Sequence, residues 1–160
     1  MTEETVSATT TISASAETVF AVLADPSRHP AIDGTGWVCD SLDGQRLTDS
    51  GQIFRMAMYH PNHPDGSYEM ANQVLALEPP RVISWRPGYL APATGTLEFG
   101  GWIWRYDLTQ LGPDETEVTL SYDWSEVGPV PRQHIQFPPF APGHLDNPLS
   151  HLAAIVAGQD

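Results

Sequence analysis

The stretch WIWRYDLTQLGPDETEVTLSYDW, Trp102 to Trp124, decides the fold. In its second half Val118, Leu120, Tyr122 and Trp124 alternate with Thr119, Ser121 and Asp123, and in its first half Trp102, Trp104, Tyr106 and Leu108 alternate with Arg105, Asp107 and Thr109. A period of two sends each set to one side of an extended chain, the pattern of an antiparallel sheet with one covered face and one in water. Between the halves, LGPDE carries the Gly, Pro and Asp of a tight turn. The stretch predicts a strand hairpin whose covered face is unusually aromatic.

Moving toward the N-terminus, WVCDSL, GQIFRMAMYH, SYEMANQVLALE and RVISWR read as four further strands, separated by LDGQ, HPDG and EPP. A seventh strand is expected over Val6–Ile12, where VSATTTIS alternates and is rich in β-branched residues. Between this strand and WVCDSL lies SAETVFAVLADPSRHP. Ser15 is a helix cap, Glu17 suits the N-terminal dipole, and Val19, Phe20 and Leu23 share one face, so a helix is predicted over Ala16–Ala24. Asp25 and Pro26 end it and start a second short helix reaching about Ile32. Two long loops, Pro87–Gly101 and the proline-rich Glu126–Gly143, are expected to form rims or lids. The tail returns to a helical period through Leu145, Leu149, Leu152, Ala153 and Val156, with Pro148 tolerable only in the first turn and Gly158 as a stop.

The order is strand, two short helices, six strands, one C-terminal helix. It predicts an α+β fold in which a seven-stranded, curved antiparallel sheet wraps on the terminal helix. All 160 residues are expected to form a single domain, with residues 1–5 disordered. On ISASAETVFAVLADPSRHP, GQIFRMAMY, PPRVISWR, the Trp102–Trp124 stretch and LSHLAAIV, the chain resembles the START-like or SRPBCC superfamily. That is the helix-grip fold of polyketide cyclase/dehydrase-like proteins and the birch-pollen allergen. The resemblance spans about Val6–Ala157 and speaks for fold more than for chemistry. It implies a cavity between sheet and terminal helix, and it departs from the usual form in the short final helix and the proline-rich run before it.

The net charge is −13, with seven Arg and no Lys. Such a surface repels nucleic acid and anionic lipid, and lysine-dependent Schiff-base or P-loop chemistry has no ammonium side chain to use. The acidic, polar start and the absence of a long apolar run predict a cytoplasmic protein without membrane insertion. Cys39 alone cannot form an internal disulfide and suits a strand position. Neither a metal nor a cofactor is expected: the H-x-x-H of His60 and His63 falls in a proline-rich turn, and Gly34-Thr-Gly36 lies between helix and strand without the third glycine of a dinucleotide loop.

Five Trp, five Tyr and five Phe supply a core or a pocket wall. A curved sheet with one helix cannot fill its concave side, so the expected ligand-binding residues are Trp37, Met56, Met58, Trp85, Trp104, Tyr106, Tyr122, Trp124, Leu149 and Leu152. Asp33–Trp37 is expected at the mouth, with Asp33 paired to Arg28 or His29. No nucleophile elbow or triad order is present. Acid–base candidates are Asp33, Tyr59, His60 and His134, of which Tyr59 is also placed near Arg55 and Glu69. Three functions are carried forward. The first is binding of a small hydrophobic or aromatic ligand, lipid-like or polyketide-like; the second is a cyclase/dehydratase-like enzyme; the third is an acidic interaction protein of the chaperone-cofactor kind. A monomer or homodimer serves any of them.

Overall fold

The computed structural model describes residues 4–32, 38–42, 45–59, 67–90, 96–99, 101–129, 133 and 143–157. Its strands are β1 (Thr5–Ile12), β2 (Val38–Ser41), β3 (Ile53–Tyr59), β4 (Ser67–Glu78), β5 (Val82–Leu90), β6 (Leu97–Phe99), β7 (Ile103–Gly112) and β8 (Glu115–Asp123). The helices are α1 (Ala16–Leu23), a 3-10 turn (Pro26–Arg28), α2 (His29–Ile32) and a C-terminal helix, here α3 (Asp146–Ala157). Seven strands run in the order β1-β8-β7-β5-β4-β3-β2, and β6 pairs with β5 off this path. The predicted helix-grip architecture is thus the observed one, with one three-residue strand added.

Two boundaries moved. β1 takes up Thr5, paired with Asp123, and the Glu4 carbonyl accepts from the Trp124 N–H at 2.8 Å, so ladder bonds hold two residues expected to be disordered. The expected loop from Pro87 begins instead at the end of β5, which runs on to Leu90. A proline inside a strand argued for a loop. However, β5 is in register with β7 only through Trp85 and with β6 only from Gly88, so Pro87 falls where no ladder on that side needs its missing N–H.

Because β1 and β2 are the two edges, the chain between them must cross the full width of the sheet. α1, the 3-10 turn and α2 make that crossing. Ser15 caps α1 by accepting from the Thr18 N–H at 3.2 Å, and the Ala16 N–H is tied to Gln110 Oε1 of β7 at 2.7 Å. Asp25 caps the next turn, its Oδ1 accepting from the Ser27 N–H and hydroxyl at 3.1 and 2.6 Å. Burial alone would raise the Asp25 pKa, but those bonds, with Arg46 and Arg28 beside it, hold it below the ordinary carboxylate value. α3 packs on α1, α2 and β1, with Pro148 in its first turn as required. His151 Nδ1 lies 3.1 Å from the Ile32 carbonyl and so joins α3 to the end of α2.

Candidate functional site

Register assigns the concave face. Cross-strand partners Val118–Leu108, Leu120–Tyr106 and Tyr122–Trp104 continue to Ile83 and Trp85 on β5, and Val74, Asn72, Phe54, Met56 and Met58 complete the row across β4 and β3. At the end where α1 leaves β1 this face is sealed: Ile12, Leu108, Val118, Ile83, Val74 and Phe54 are all 4% exposed or less. At the other end Met58, Met70, Trp85 and Trp104 are only half-buried, and Tyr89 is 42% exposed. The connections leaving Tyr59, Leu90 and Asp123 and the one entering Val38 all belong to this second end.

The reason lies in lengths. α3 has 12 residues and so extends ~18 Å at 1.5 Å per residue, whereas strands of nine to twelve residues run about 30–40 Å. The helix covers part of the concavity and leaves the rest to aromatic side chains.

These aromatics form a continuous row. His29, at the start of α2, stacks on Trp85 at 5.2 Å between centroids and 19° between planes, and meets Phe54 edge-on at 5.6 Å. Trp85 lies 6.1 Å from Tyr106 and is the cross-strand partner of Trp104. Trp104 is 4.6 Å from Tyr122, which is 5.9 Å from Trp124. Burial pushes the Tyr122 phenol well above its ordinary pKa, so it stays a neutral hydroxyl.

The expected wall residues divide. Met58, Trp85 and Trp104 are half-buried. Met56, Tyr106, Tyr122, Trp124, Leu149 and Leu152 are at most 4% exposed; Met56, Tyr106, Leu149 and Leu152 belong to the main core, and Tyr122 and Trp124 to a smaller cluster with Val127. Tyr59 lies on the outer face with Arg55 and is 48% exposed, since Phe54, Met56 and Met58 take the inward positions of β3. Arg55 and Glu69 do meet on that outer face, at 3.3 Å. Asp33, Trp37, His60 and His134 lie outside the described residues. Arg28 Nε is 3.9 Å from Asp25, and His29 Nε2 donates to the Leu23 carbonyl at 2.8 Å.

From the sequence alone, His29 is placed only as a partner for Asp33. Its place over Trp85 follows from the crossing of α1 and α2 beneath the sheet, which periodicity does not reveal. Burial drives the His29 pKa below its ordinary value of 6.5, against the Leu23 bond and the Asp25 charge, so the ring is held neutral. The unfolded chain therefore binds more protons as pH falls through about 6.5. Stability from this group is complete above that pH and declines below it, by up to about 1.4 kcal/mol per pH unit. Urea midpoints measured from pH 7.5 to 5 should show this slope, and His29→Phe should flatten it; an unchanged slope would place His29 in water.

Comparison with known proteins bears on the same architecture. The family described as "Polyketide cyclase / dehydrase and lipid transport" matches residues 3–155. An uncharacterized protein of Mycobacterium tuberculosis is 28% identical over 125 residues, which are 78% of this chain and 50% of that protein, so the chain spans about half the length of the curated relatives it matches. A crystal structure of a Mycobacterium smegmatis protein superposes with a TM-score of 0.67 at 14% identity, covering 98% of this chain and 93% of that one. Norcoclaurine synthase from Thalictrum flavum, solved in complex with dopamine and hydroxybenzaldehyde, superposes at 0.61 with 13% identity, covering 98% of this chain and 87% of the other. At these identities the likeness is one of fold.

Proposed function

Since the chain belongs to the polyketide cyclase / dehydrase and lipid transport family, we propose that it binds a small hydrophobic or aromatic ligand, lipid-like or polyketide-like, at the open end of its concave sheet face. The observation that carries this reading is the gradient of burial along that face, from Ile83 at 0% to half-buried Trp85 and Trp104 and a 42% exposed Tyr89. Large apolar surface left uncovered at a concave site, between a few polar groups, is the form ligand pockets take.

Native mass spectrometry of the purified protein should release a non-covalent small molecule. Titration with naphthalene should quench tryptophan fluorescence saturably and raise the melting temperature, with about 2.7 kcal/mol of stabilisation at a hundredfold excess over Kd. Trp104→Ala should weaken binding roughly tenfold, an aromatic contact of about 1.4 kcal/mol, whereas Tyr59→Phe on the outer face should not change it. Absence of saturable quenching would overturn the reading.

A cyclase- or dehydratase-like activity is the second reading. It is favoured by one observation, a neutral imidazole on the concave side against Trp85, the protonation state a general base requires.

A further inference from the structure

The two edges of the sheet are built differently. β2 has four residues, a bulge between Val38 and Asp40, and the charge of Asp40 itself, devices that keep an edge from pairing with another chain. β1 has none of them. Its eight residues, TVSATTTI, pair with β8 in unbroken register and include no charge, proline or glycine, in a chain of net charge −13. Because the Glu4 carbonyl accepts from the Trp124 N–H, Val6, Ala8 and Thr10 turn their backbone groups toward β8, while Thr5, Ser7, Thr9 and Thr11 turn theirs to the other side. Those four residues are all exposed, and among the described residues no strand pairs with that side of β1.

We infer that the β1 edge is a homodimer interface, at which two copies pair antiparallel about a two-fold axis at Ala8 and join their sheets into one. Symmetry and charge both favour a second copy over another extended chain. In this register Thr5 bonds to the partner's Thr11 and Ser7 to the partner's Thr9, and the axis repeats both pairs, so every outward N–H and C=O of those four residues is used. The side chains agree with it. On the outer face the pairs are hydroxyl against hydroxyl, as Thr9 and Thr119 already are at 2.9 Å, and the close pair at the axis falls on the small Ala8. Copies of so acidic a chain repel each other, and an uncharged strand is where that repulsion is least.

Sedimentation equilibrium should show the mass rising with concentration from 17.5 kDa toward twice that, and rising further with added salt, which screens the repulsion. Ser7→Pro removes an N–H that points away from β8, so the chain keeps its own ladder while the dimer loses its centre, and the mass should stay at the monomer value. In a Cys39→Ser background, Ala8→Cys should form an intermolecular disulfide on air oxidation, since residues opposite each other at the axis lie within bridging distance, and Ser7→Cys should not. In the unmodified protein, amide exchange at Ser7 and Thr9 should slow as concentration rises, a readout that survives if a variant fails to fold. A monomer at every concentration, a dimer untouched by Ser7→Pro, crosslinking of Ser7→Cys in place of Ala8→Cys, or dissociation by salt would each overturn the inference. So would protection of those amides in the monomer, which would mean that the edge is already covered within the chain.

Discussion

Replacing Phe54 by Ala should lower the free energy of unfolding by about 3–5 kcal/mol, the range for deleting a buried phenyl ring. Phe54 is 2% exposed and sits at the centre of the aromatic row, edge-on to His29 at 5.6 Å and to Trp85 at 5.8 Å. Its removal takes away the transfer free energy of the ring, two edge-to-face contacts of about 0.5–1.5 kcal/mol each, and the wall that holds the imidazole upright against the indole. Against a total stability of about 5–15 kcal/mol for a domain of this kind, such a loss is about a fifth or more. It should appear as a lower urea midpoint with an unchanged slope. A cost under about 1 kcal/mol would mean that the ring is not packed as described, and with it the placement of His29 would fall.

Gly101→Ala carries the second large effect, through the backbone. Gly101 has φ +102°, where an L side chain is strained, and a Cβ built there would lie 2.5 Å from the Glu126 carbonyl oxygen and 2.8 Å from the Val127 Cα. Both neighbours are main chain, so neither can swing aside. Strain and overpacking together should cost about 2–4 kcal/mol. The contact joins the residue just before Trp102 to the turn after β8, where the Val127 N–H donates to the Trp124 carbonyl at 3.1 Å. The damage should therefore centre on the cluster of Tyr122, Trp124, Val127 and Trp102 at the open end. Thermal denaturation measures the cost, and naphthalene binding should weaken with it. Gly51→Ala is the control: it has φ +85° but nothing within 4 Å of the added carbon, so it should show strain without the clash.

What the residues alone could state about the site was limited by geometry. Alternation in β7 and β8 identified Trp104, Tyr106 and Tyr122 as inward-facing, and they are. Alternation cannot say which inward residues are capped by helices and which are left bare, because that depends on where helices distant in sequence come to rest. Tyr106 at 4% exposure and half-buried Trp104 share one face and differ only in what lies above them. Tyr59 shows the opposite limit: its parity with Arg55 is legible in the sequence and places it on the outer face, where it is 48% exposed. His29 carried no local signal, since a histidine before a proline at a helix start looks like a cap or a turn.

The sequence by itself determined the elements and their sidedness: the period-two strands, the Ser15 and Asp25 caps, the tolerance of Pro148 in a first turn, and through them the family. These are contests within a few residues, settled by propensity, capping bonds and the pleat. Tertiary structure alone decided that β1 and β2 lie at opposite edges of the sheet, so that the intervening helices must cross its hollow. That crossing sets His29 on Trp85 and seals one end of the concave face, while Trp85 and Trp104 toward the other end stay half-buried. The reason is physical: burial and desolvation are properties of assembled surfaces, and no single segment contains both sides of the contact.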